Sequence, residues 1–143
     1  MALELDLQQK IKKKNLDEVE KAWNERAESA PTDLEWFLAV AQELKNVKAQ
    51  ARMTELIALL ADALGAADEW ELAFDALQQG INLAPRLREI RVKTVECVRE
   101  RYSGRADLEE VIAFFNLEDA EDPAKAVDEL RDWLRFGEGE GFW

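Results

Sequence analysis

The chain has 143 residues with 48% hydrophobic and 35% charged side chains, the balance of one folded domain long enough to bury a core. Histidine is absent and Cys97 stands alone, which removes the commonest general base, the commonest metal ligand, any disulfide framework and any thiolate cluster. Six glycines and three prolines leave few turn residues for an all-β fold, and the net charge of −12 disfavours binding to duplex DNA or lying on an anionic membrane.

Apolar spacing predicts helices throughout. The first runs from Leu3 to Lys14, and Asn15 or Asp17 suits the start of a second reaching Ser29, closed by Pro31. Thr32 or Asp33 caps a third, in which Leu34, Phe37, Leu38, Ala41 and Leu44 form one stripe that fades near Asn46. A fourth starts near Lys48, carries Met53, Leu56, Ile57, Leu60, Ala61 and Leu64, and ends at Gly65 in the left-handed conformation. Asp68 caps a fifth, with Trp70, Ala73, Phe74, Leu77 and Ile81 on one face and Pro85 as its stop. Residues 86–102 form a sixth, ended by Ser103-Gly104, and Asp107 opens a short seventh reaching Phe115 or Asn116. After the acidic loop 118–122, Pro123 takes the first turn of an eighth that runs to about Arg135. Asp6–Lys10, Asp17–Lys21 and Glu89–Lys93 have the spacing of ion pairs along a helix.

Connections this short make consecutive helices antiparallel, so the expected fold is an all-α stack of about eight helices in hairpins. Helix lengths favour hairpin repeats over a long bundle. Residues 1–135 form that domain, and 136–143 form a Gly-rich tail.

The segment from Ile57 to Pro85 resembles a tetratricopeptide repeat. Ile57, Leu60, Ala61 and Leu64 match the family's large, large, small, large positions, and Ala73, Leu77, Gly80 and Pro85 follow as its second helix and close. Leu64 replaces the usual aromatic residue, and Gly80 replaces the usual alanine. The resemblance implies a right-handed superhelix of stacked hairpins. Independently of the name, Ala61 and Gly80 let helices approach while Leu60 and Leu77 fill the space between them.

The tail Gly137-Glu138-Gly139-Glu140-Gly141-Phe142-Trp143 cannot sustain a helix; it reads either as a disordered end or as the first strand of a following β module. Together with Leu16-Asp17-Glu18-Val19-Glu20-Lys21-Ala22-Trp23, Asp33-Leu34-Glu35-Trp36-Phe37 and Trp133-Leu134-Arg135-Phe136-Gly137, the chain resembles the extended N-terminal helical domain of some bacterial transcription elongation factors of the GreA/GreB type. That resemblance implies an interaction module within a larger protein, partnered by the transcription machinery. A freestanding helical adaptor or chaperone is the alternative.

No catalytic, cofactor or metal residue is assigned: phosphate loop, zinc spacing, nucleophile elbow and calcium loop are all missing. Glu109-Glu110 and Asp119 with Asp122 sit in solvated acidic stretches, without the cleft that would shift a carboxyl pKa. Cys97 reads as a small core residue. The tryptophans Trp23, Trp36, Trp70 and Trp133 read as packing residues, while one member each of Trp36-Phe37 and Phe114-Phe115 borders a groove or partner. An enzyme is therefore the least favoured class.

Residues 86–105 carry seven basic side chains against three acidic ones, a basic band within an acidic chain. Arg86, Arg88, Arg91, Lys93 and Arg99 are the candidate partner-binding residues, set opposite a buried side of Ile90, Val95, Val98 and Tyr102. The band either docks an acidic protein segment or pairs with the chain's own 118–122 loop. Acids at Glu4 and Asp6 replace the basic start of a signal peptide, and no apolar run reaches the roughly 18–20 residues of a membrane span, so a cytoplasmic location is expected.

Overall fold

A computed structural model describes residues 3–136. They form eight α-helices: α1 (Leu5–Lys12), α2 (Leu16–Ser29), α3 (Leu34–Asn46), α4 (Gln50–Ala66), α5 (Trp70–Leu83), α6 (Arg88–Arg101), α7 (Leu108–Phe115) and α8 (Pro123–Phe136). One 3-10 turn, Leu117–Asp119, precedes α8, and no strand occurs among the described residues. Every expected helix is present. The tail after Phe136, expected to be either a disordered end or the first strand of a β module, lies outside the described residues.

Two kinds of turn recur among the first five connections. After α1, α3 and α4 the chain passes through a left-handed residue, Lys14 (φ 56°), Lys48 (φ 63°) and Asp68 (φ 60°). In each, the next backbone N–H donates back into the last turn of the helix: Asn15 to Lys10, Ala49 to Leu44 and Glu69 to Leu64, at 2.8–2.9 Å. Asp68 is thus the left-handed closing residue of α4, and the position before α5 falls to Glu69, whose side chain makes no cap hydrogen bond. Gly65 lies inside α4; its missing Cβ instead makes room for the Trp70 ring, which would stand 3.0 Å from it. The second kind of turn is Ala-Pro: Ala30 and Ala84 adopt nearly the same backbone angles before Pro31 and Pro85.

Expected caps are partly diverted. Asp33 stands at the start of α3, but its carboxylate takes the Arg26 guanidinium at 2.5 Å, and Asp107 at the start of α7 takes Arg105 at 2.6 Å. Asp122, not among the expected caps, caps α8 by accepting the Lys125 backbone N–H at 3.2 Å.

Next-but-one packing sorts the helices into two layers. α1, α3, α5 and α8 contact one another in series, as do α2, α4 and α6, and neighbours such as α4 and α5 join the layers. Leu60, Leu77, Ile81, Phe37 and Trp23 are fully buried at that junction. Gly80 sits where three helices converge, and a Cβ there would lie 3.1 Å from Ile57 of α4 and 3.2 Å from Ile90 of α6. Phe37 is fully buried, while Trp36, 7% exposed, lines a groove of about 370 Å³ beside α1 and α2, as expected of one member of the pair; the Arg26 guanidinium lies 4.9 Å above the Trp36 ring. Phe114 is exposed, as its pairing with Phe115 predicts.

Candidate functional site

The two-layer stack leaves a groove of about 470 Å³ between α4 and α6. Ala51, Thr54 and Ala58 supply one wall, Leu87 and Val92 the other, and Glu55, Arg88, Glu89, Lys93 and Glu96 supply its charges. Small residues at 51, 54 and 58 recur three and four apart, so one α4 face presents a shallow channel instead of a ridge. The Thr54 hydroxyl is spent on the Ala51 carbonyl at 2.9 Å. Glu89 and Glu96 make no hydrogen bond or ion pair among the described residues. The groove thus has an apolar floor and a charged edge.

The five candidate basic residues divide among different neighbours. Arg88 reaches Glu118 at 3.3 Å, and Arg91 donates to the carbonyls of Glu118 and Ala120 at 3.2 and 3.0 Å and to that of Pro85. Both therefore hold the 118–120 segment, one of the two arrangements expected for this band. Lys93 pairs with Asp62 on α4 at 2.5 Å; burial works against its charge, and the Asp62 hydrogen bond more than offsets this, so its pKa is raised. Arg99 grips Glu109 on α7 at 2.9 Å, which raises the arginine's pKa and lowers the carboxylate's. Arg86 is exposed and pairs with nothing among the described residues. Ile90, Val95, Val98 and Tyr102 occupy the buried side as expected.

Of the pairs expected along single helices, Asp6–Lys10 closes at 3.2 Å, while Asp17 instead meets Arg52 of α4 at 3.3 Å. Sequence spacing also gave no sign of the polar cluster between α5 and α8. There Arg131, nearly buried, reaches Glu71 at 3.0 Å, Asp75 at 2.8 Å and Gln78 at 2.7 Å, and Arg135 joins Glu71 at 2.7 Å. Its partners lie more than fifty positions away in the chain, beyond any local pattern. Arg135 foremost, and then Arg131, hold the Glu71 carboxyl below its ordinary value against a partial burial cost.

Cys97 is buried, and desolvation pushes its thiol up to about 11, which suits a core residue and not a nucleophile. No group of three or more metal-ligating side chains occurs among the described residues. None of the described helices is long and apolar enough to cross a membrane. Trp23 and Trp36 are core residues as expected and Trp70 is half-buried, but Trp133 is 46% exposed on α8, contrary to a packing role. No protein-family model, curated protein or solved structure matches the chain.

Proposed function

We propose that the chain is a non-catalytic protein-binding module, a tetratricopeptide-like right-handed stack of hairpins serving as the N-terminal part of a GreA/GreB-type elongation factor. The α4/α6 groove carries the binding reading: it is apolar at its floor, formed by two helices of one layer, and edged by charge. The next-but-one packing and the close approach at Gly80 support the repeat architecture. The elongation-factor assignment rests on the sequence resemblance alone.

The partner is a peptide or protein segment with an apolar ridge and basic flanks. Arg88 and Lys93 are already answered by Glu118 and Asp62, whereas Glu89 and Glu96 remain for the incoming chain. Selection from a library of displayed peptides tests this. Enriched peptides should carry that pattern and lose binding to Val92→Glu, which fills the groove with a carboxylate. Failure to enrich any peptide, or binding indifferent to Val92→Glu, overturns the groove reading. Co-sedimentation with purified bacterial RNA polymerase tests the second part, and its absence removes the transcription assignment while leaving the groove.

A further inference from the structure

Helices inside a stacked array are covered by neighbours on both sides, whereas the end helices each keep one side open. Among the described residues, three of the four exposed large hydrophobic side chains fall on end helices: Leu5 on α1 at 69%, Phe114 on α7 at 80% and Trp133 on α8 at 46%. The two ends also differ in charge. On α1 the exposed stripe is Leu5, Gln9, Lys12 and Lys13, spaced to share one face, and Lys12 and Lys13 pair with nothing among the described residues. At the other end, residues 106–136 carry ten carboxylates against three basic side chains, and Glu110, Glu129 and Asp132 are exposed near Phe114 and Trp133 in sequence. Trp133 hydrogen-bonds Asp107 at the start of α7, which ties the exposed part of α8 to α7.

We propose that these ends meet in a head-to-tail contact between two copies of this chain, the α1 face of one on the α7/α8 face of the next. Leu5 against the two aromatics supplies apolar contact, and Lys12 and Lys13 against the acidic end set the orientation. Such a contact is heterologous, so it leaves one free head and one free tail and extends beyond a dimer. Two molecules of net charge −12 repel at long range. At about 0.15 M salt the screening length is about 8 Å, which removes most of that repulsion and spares charges in direct contact.

Sedimentation velocity on the full chain at that ionic strength tests the proposal. The average sedimentation coefficient should rise with concentration, and the rise should be lost in high salt. Phe114→Asp spoils the tail alone, and Leu5→Asp with Lys12→Glu and Lys13→Glu spoils the head alone. All four positions are exposed, so circular dichroism should show unchanged helix. Each variant by itself should be monomeric, and an equimolar mixture should give a dimer and nothing larger. A wild-type chain that stays monomeric overturns the proposal. So does a head variant that still self-associates, which would mean a symmetric tail-to-tail contact, or a mixture that forms no dimer.

Discussion

Gly80 and Ile90 approach so closely that a single methyl group on the glycine would stand 3.2 Å from the isoleucine's side chain, with Ile57 at 3.1 Å on the other side. Glycine inside a helix ordinarily costs about 1 kcal/mol relative to alanine. Here that preference is reversed by crowding, because both isoleucines are 1% exposed and have little room to yield. Gly80→Ala should lower stability by about 1 kcal/mol net and Gly80→Val by about 3 kcal/mol. Denaturant unfolding measures both. In an Ile57→Val background the alanine should cost less, since the nearest methyl group, the Ile57 Cδ1, is gone.

Leu60 and Leu77 are both fully buried between the layers. Leu60→Ala and Leu77→Ala should each cost about 2–5 kcal/mol, the lost transfer energy together with the cavity left behind. Urea midpoints at unchanged slope are the measurement, and a silent change at either position would contradict the packing register.

Glu71 gives a pH signature. Its carboxyl is lowered from the ordinary 4.5, first by the Arg135 hydrogen bond, so its contribution is complete above pH 4.5 and is lost as pH falls through the lowered value. The melting-temperature difference between wild type and Glu71→Gln should therefore be constant near neutrality and close in acid. Because the Glu71 side chain is 59% exposed, the difference should also shrink with added salt. A gap that widens in acid would reverse the assignment.

Arg91 holds the segment before α8 through the Glu118 and Ala120 carbonyls. Arg91→Ala should speed amide exchange across residues 117–122, and Arg91→Lys should restore little, because an ammonium cannot reproduce the fork that reaches separate carbonyls. Arg91→Glu should lower the melting temperature while leaving peptide binding in the α4/α6 groove intact, since Arg91 does not line that groove. Unchanged stability with lost binding would return the basic band to a docking role.

The sequence by itself determined which residues form helices and which of their faces are buried, because both follow from apolar spacing within a single element. Leu60, Leu77, Gly80, Ile90 and Cys97 were legible for that reason. Cap chemistry was not legible in this way: Asp33 and Asp107 are drawn off by Arg26 and Arg105, a competition between local and tertiary partners, while Asp122, which sequence reading placed only in a loop, caps α8. Gly65 was misread because glycine also serves close packing, here against Trp70, while Asp68 takes the left-handed position. Only the tertiary structure decided how the charges are spent. The basic band is visible as composition, but Lys93 meets Asp62 and Arg91 meets the carbonyls before α8 only once the layers are assembled. The groove is likewise a property of two helices separated by a third, and neither α4 nor α6 carries its outline alone.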